Sequence, residues 1–334
     1  MKKKNLLITS LIVACSLSVT LNANLVQEVK NAGLKPIPKK LYPPKKLNAK
    51  QKLGEKLFFE PRLSKSSLIS CNTCHNLGLG GVDGLSAAIG NKWTTNPHHL
   101  NSPTVYNSVL NKVQFWNGRA AHLADQAKGP LQAAPEMASP EALIVKRLSS
   151  IPAYVNEFKK VYGKNKKISL NTVADAISAF EKVLITPSRF DEFLDGNKNA
   201  LTKQEKVGLA LFVKKGCTAC HRGVGIGGTM QPFQVASKYE FSNLGDFKGD
   251  KNGFVKTPTL RNIAQTAPYF HNGAVWNLSR AVQIMGSVQL GIKINKKEAN
   301  EIVVFLKSLT GKKPKTTYPM LPASTNKTPI PITK

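Results

Sequence analysis

Residues 71–81 read CNTCHNLGLGG and residues 217–228 read CTACHRGVGIGG, the same Cys-x-x-Cys-His unit with glycines behind it, twice in one chain of 334 residues. Two cysteines spaced by two residues can form thioethers to both vinyl groups of a haem, while the histidine directly after them ligates its iron. The rival chemistries fit less well. A thioredoxin-type pair needs no histidine and sits between a strand and a helix, and a histidine abutting the second cysteine closes a zinc tetrahedron poorly. The glycine runs follow no strand and lack the Gly-Lys-Ser/Thr of a P-loop; backbone packed close against a flat macrocycle accounts for them better. The sequence therefore predicts two covalently bound c-type haems, one on Cys71 and Cys74 with His75 as proximal ligand, the other on Cys217 and Cys220 with His221.

The first 23 residues place Lys2, Lys3 and Lys4 before an apolar run and end in Leu-Asn-Ala, the layout of a secretory leader cleaved before Asn24. A periplasmic protein is the expectation, with a lipid anchor through Cys15 as the rival. Removing the leader leaves four cysteines, all in the two motifs, so none remains for a structural disulfide. No other run reaches the ~20 apolar residues of a membrane span. The formal net charge of +29 raises the question of nucleic acid. The lysines are scattered, however, and no zinc-finger, helix-turn-helix or RNA-recognition signature accompanies them, so nucleic-acid binding is excluded. A field of this size favours anionic lipid or an acidic partner.

Beyond the leader, the Pro/Lys-rich lead-in at 33–50 reads as an extended surface strap. Helical periodicity predicts helices over 171–185 and 297–309. A Thr202–Glu205 capping box opens another, which leaves the second motif at a helix exit. The tail after Gly311 is rich in Pro, Lys and Thr, a composition that wraps a surface or stays loose. No alternating strand pattern persists. The fold class expected is mainly α, two cytochrome c-like domains with long loops: a first haem domain at 24–185 and a second at 186–334.

The sixth ligand decides what each iron does, because an occupied position makes a carrier and an open one a catalyst. Beyond the leader the methionines are Met137, Met230, Met285 and Met320. Met285 lies 64 residues after His221, about one small domain away, whereas Met230 follows by nine residues and has little chain with which to cross the ring. Met285 is thus the expected ligand of the second iron, and His/Met ligation raises the potential.

The order CNTCH, GLGGVDG, NSPTVYN, QFWNGRA, DQAKGP, PEM, CTACH, TPTLRN, TAPYFHNG, MGSVQLG resembles the bacterial di-haem cytochrome c peroxidases over residues 45–310. The resemblance implies that the first haem reduces hydrogen peroxide and that the second receives electrons from a small mono-haem cytochrome c or a cupredoxin. Two irons hold together the two electrons that this reduction takes. It further implies Trp116 between the haems, Gln126 and Glu136 on the open side of the first, and His271 near a haem propionate. Asn101 with the carbonyls of Thr266 and Pro268 matches the family's calcium site, a set of hard oxygen donors. A homodimer is compatible with it. The alternatives are a non-enzymatic di-haem electron carrier, and a related di-haem enzyme that oxidises a protein substrate and has tyrosine where Met285 stands.

Two positions depart from the family's pattern. Where it commonly has Gly-His before Lys-Trp, supplying a removable ligand to the first iron, this chain has Gly90-Asn91-Lys92-Trp93, and Asn91 cannot replace imidazole. His98 and His99 on the same loop are the candidate switchable ligands, and a closed resting state released by reduction of the second haem is expected. Asn117 stands where the Trp-Asp-Gly-Arg stretch has aspartate, and His122 matches no ligand position.

Overall fold

The structure, a computed structural model, describes residues 25–333; the leader, its cleavage point and Cys15 lie outside the described residues. In chain order the helices are α1 (Ala49–Phe58), the single turn α2 (Cys71–Cys74), α3 (Leu123–Gln132), α4 (Glu141–Ser149), α5 (Pro152–Tyr162), α6 (Leu170–Glu181), α7 (Arg189–Leu194), α8 (Lys203–Lys214), α9 (Leu278–Leu290) and α10 (Lys296–Lys307). Residues 25–31 are also helical. Strands β1 (Met230–Pro232) and β2 (Phe254–Lys256) pair antiparallel with Met230 opposite Lys256. The mainly helical expectation holds, and no described helix is long and apolar enough to cross a membrane.

Each half is organised by one close helix crossing, and both crossings use the same device. In the first, α1 meets α6 so tightly that a Cβ on Gly54 would stand 1.9 Å from the Ala176 carbonyl oxygen. In the second, α8 meets α10 with Gly208 in that role, 2.1 Å from the Glu301 carbonyl oxygen. One turn beyond each glycine a phenylalanine packs edge-on or tilted against a phenylalanine of the partner helix, Phe58 on Phe180 and Phe212 on Phe305, both at 5.4 Å. Each helix is started by its own cap. Asn48 and Gln51 form a reciprocal box before α1, and Thr202 and Glu205 form another before α8, as the sequence predicts.

Around these crossings lie two separate apolar cores. The first runs from Leu53 to Leu184 and the second is built on Phe190, Leu209, Phe212, Ile302 and Phe305. The chain ends cross between them. Val29 and Leu34 are fully buried in the second core, and Ile37 donates its N–H to Asp191 Oδ1 at 2.8 Å. The lead-in is therefore more than a surface strap. Asp191 is also held by both terminal nitrogens of Arg261 at 2.9 Å, a pair with no solvent exposure, which ties the lead-in, α7 and the Thr-Pro-Thr-Leu-Arg-Asn stretch together. The C-terminal tail wraps back over the first half: Arg62 and Arg147 donate to the carbonyls of Pro322 and Ile330, and Tyr318 packs on Phe59 at 4.7 Å.

The helix expected over 171–185 stops at Glu181. The chain tightens there through Val183 N–H to Phe180 and Leu184 N–H to Glu181, and the Leu184 carbonyl is taken by the Asn107 N–H at 2.9 Å. The Leu184 carbonyl, which a helix ending at 185 would have left without an intrahelical partner, is thus satisfied from elsewhere in the chain.

Candidate active site

The first motif is wound into a single turn. Ser70 N–H donates to Thr73 Oγ1 at 3.0 Å, His75 N–H donates to the Cys71 carbonyl at 2.9 Å, and Leu77 N–H donates to Asn72 Oδ1 at 3.1 Å. This brings Cys71, Cys74 and His75 to one cavity, with Trp116, Gln126 and Glu136 also in its wall. His75 Nδ1 lies 3.0 Å from the Pro103 carbonyl oxygen, which can only accept, so the proton sits on Nδ1 and the Nε2 lone pair is free for iron. Burial lowers the His75 pKa, which keeps the ring neutral as a ligand must be.

Glu136 sits in a turn after α3, its N–H donating to the Ala133 carbonyl at 3.0 Å. Gly90 packs directly under it: a Cβ there would stand 1.9 Å from the Pro135 carbonyl and 3.0 Å from Glu136 Cα. Burial raises the pKa of the Glu136 carboxyl, with Arg119 and His98 acting in the opposite direction. Arg119 lies over the Phe115 ring at 3.4 Å and donates to Asn117 Oδ1 at 3.0 Å. Because Asn117 is neutral, the guanidinium charge is not cancelled there and acts on Glu136. Gln126 is carried by α3, whose start is marked by its own N–H donating to the His122 carbonyl at 3.0 Å.

The loop that follows Gly90 borders this cavity through Asn96 and Leu100. Asn91, His98 and His99 are absent from its wall. His98 Nδ1 is 2.8 Å from Asp246 Oδ2, and a Cβ on Gly245 would stand 2.6 Å from the His98 carbonyl, so the loop rests on the second half. His99 Nε2 is buried with no partner among the described residues.

The second motif follows α8 through Gly216, in the left-handed region at φ 81°, where a side chain would be strained. Cys217, Cys220 and His221 line a second cavity together with Met285 of α9 and His271. His221 Nδ1–H points to the Ile226 carbonyl at 3.3 Å, and burial lowers its pKa to about 4. Met230 instead packs on Gly118, where a Cβ would stand 2.6 Å from its Sδ, and it does not line this cavity. His271 is buried against Trp116, Phe233 and Phe247, and burial takes its pKa to about 4.

Trp116 stands in the walls of both cavities, its indole N–H donating to the Asn101 carbonyl at 3.0 Å. Asn101, Thr266 and Pro268 converge beside it: Asn101 Nδ2 donates to the Pro268 carbonyl at 2.8 Å, and all three line the second cavity. Both cavities fit a covalent haem, since each joins two cysteines, a neutral histidine with its Nε2 free and a largely apolar wall.

Two residues in these walls were not singled out by the sequence reading. Glu181 of α6 reaches the first cavity with Oε2 unpartnered, and burial raises its pKa to about 8. It lies one helical turn after Ile177 on the apolar face, which was the available signal. Lys256 at the end of β2 lines both cavities, and no spacing or pattern marks it.

Two family models match the chain. A family model described as di-haem cytochrome c peroxidase matches residues 48–199, and a cytochrome c model matches residues 206–310. A cytochrome c551 peroxidase of Pseudomonas aeruginosa is 48% identical over 295 residues, covering 84% of each chain. One of Nitrosomonas europaea is 47% identical, covering 83% of this chain and 84% of its own. The crystal structure of a MauG-like protein associated with microbial copper homeostasis superposes with a TM-score of 0.69 at 27% identity, covering 84% of this chain and 93% of its own. Two haem motifs facing two cavities across one tryptophan, in a chain that shares nearly half its residues with such enzymes over most of their length, make this protein a member of the di-haem cytochrome c peroxidase family.

Proposed function

We propose that the cavity of Cys71, Cys74 and His75 is where hydrogen peroxide is reduced, and that the cavity of Cys217, Cys220, His221 and Met285 is where electrons enter. The observation that carries this division is the different company of the two sites: a buried carboxyl, Glu136, on the first, and a thioether, Met285, on the second. Bound on His75 and His221, the two haems supply the two electrons that, with two protons, turn one hydrogen peroxide into two waters. Glu136 takes the proton from the near peroxide oxygen and returns it to the far one, so that water leaves. Its raised pKa brings it toward the working pH, and Arg119 restrains that rise. Gln126 orients the peroxide by hydrogen bonding, and Trp116 is the contact through which the two sites communicate.

In the arrangement described, the open side of the first site is free of His98 and His99, which favours a site ready for peroxide over the closed resting state expected from the sequence. Either histidine serves as a ligand only after the loop leaves Asp246. Asn101, Thr266 and Pro268 would hold a calcium ion through one amide and two backbone carbonyl oxygens, with the Asn101 amide turned over from its present bond. The domains divide near residue 186, the protein works in the periplasm, and the donor is a small cytochrome c or cupredoxin whose acidic surface suits the strong positive charge, 29 − 3 = +26 once Lys2, Lys3 and Lys4 leave with the leader.

The test is Glu136→Gln, assayed for peroxide turnover with a reduced small cytochrome c as donor. Turnover should fall by ~10²-fold or more, the lower range for general acid–base catalysis, with both haems still reducible. An unchanged rate removes Glu136 from the mechanism. A ferric protein that reacts with peroxide only after the second haem is reduced restores the closed state.

A further inference from the structure

Among the described residues three cations are fully or nearly buried, and each has to be satisfied by something. Arg147 has four backbone carbonyl partners and Arg261 has Asp191. Lys256 has neither. It is 4% exposed, and among the described residues no carboxylate pairs with its ammonium. Its backbone N–H donates to the Trp116 carbonyl at 2.7 Å, and its Nζ lies 6.0 Å from the centre of the Trp116 ring. An ammonium over an indole gains far less than its desolvation costs. Burial accordingly draws its pKa down to about 8.

Of the charged side chains, Lys256 is the one common to the walls of both cavities, which otherwise share Trp116, Asn101 and small or neutral residues. An anion that reaches the wall shared by the two cavities therefore comes near it. The prosthetic groups carry such anions, since each porphyrin bears two carboxylates along one edge. We propose that Lys256 is a shared counter-ion that binds carboxylates of both haems at their common wall, holding the two porphyrin edges toward Trp116 and raising both reduction potentials. A cation beside a porphyrin edge favours the ferrous state because reduction adds negative charge there. Lys256 is thus a positioning residue for the route between the irons. This rests on both haems being attached as described above, and the mass of the denatured protein, with two haems retained, checks that point separately.

The deciding experiment uses the holoprotein. In Lys256→Met both midpoint potentials should fall in a spectroelectrochemical titration, and the propionate bending modes in the resonance Raman spectrum should shift. Lys256→Arg should restore both readouts. Lys256→Gln, which keeps a polar end without the charge, repeats the test if the methionine variant is not recovered. The proposal is overturned if neither potential moves, if only one does, if the Raman modes stay in place, or if arginine fails to restore what methionine lost.

Discussion

Glu181 brings a carboxyl group into the first haem cavity with an oxygen that no described donor meets, and this has a consequence for stability. Its pKa is raised by burial from 4.5 to about 8. A raised folded-state value means stability fully present below the unfolded pKa and lost as pH rises through the folded one. The holoprotein should therefore melt at progressively lower temperature between about pH 4.5 and pH 8. Glu181→Gln should flatten that dependence, and an unaltered slope in the variant would assign it to other groups. Met285 gives a second test at this scale. Met285→His should retain both haems and lower the potential of the second alone, because thioether ligation favours ferrous iron more than imidazole does; a redox titration reads it. The legible residues were those whose place is written into spacing, the two motifs and Met285 in the wall of the second cavity. Glu136 is two residues from Ala138 in an ordinary-looking turn and was reached only through the resemblance. Lys256 was not legible, because its meaning comes from two walls built by distant parts of the chain.

Among the elements, the two glycine crossings carry the most specific prediction. Gly54→Ala and Gly208→Ala each place a methyl group against a backbone carbonyl that has no rotamer to change, at 1.9 and 2.1 Å. Each should cost ~1–3 kcal/mol, the usual range for overpacking. Denaturant titration of the two variants measures it, and a loss below the precision of the method in either would mean that the helices slide apart freely. The capping box at Thr202 and the amphipathic pattern of α10 were readable because they are local. The early end of α6 was not, since Leu184 and Ile185 keep the apolar pattern while i→i−3 bonds replace the helical ones, and the Asn107 N–H that takes the Leu184 carbonyl comes from 77 residues upstream. For the same reason the lead-in looked like surface: its prolines and lysines are visible in sequence, while the core that covers Leu34 and Ile37 is made later in the chain.

In the whole molecule the halves are joined by exchanged ends as well as by facing cavities. The tail holds the first half through Asn72 Nδ2 to the Tyr318 hydroxyl at 3.0 Å, Arg62 to the Pro322 carbonyl at 2.8 Å and Ile332 N–H to the Lys65 carbonyl at 3.1 Å. Asn72 lies between the two cysteines of the first motif, so the tail braces the haem attachment itself. Removing residues 317–333 should make the first half cleave faster in limited proteolysis while the second half keeps its rate; equal rates for both halves would show the tail to be a passive covering. The exchange also sets an order of maturation. A chain made from its first residue presents Val29 and Leu34 long before the phenylalanines that bury them exist, and the segment that closes over the first half follows both cores in the chain. The first core uses no residue after Leu184 and can pack early, whereas Val29 and Leu34 wait for Phe190 to Phe305; the bond from Asn72 to Tyr318 forms later still, so the brace across the first motif is added to a turn that is already wound.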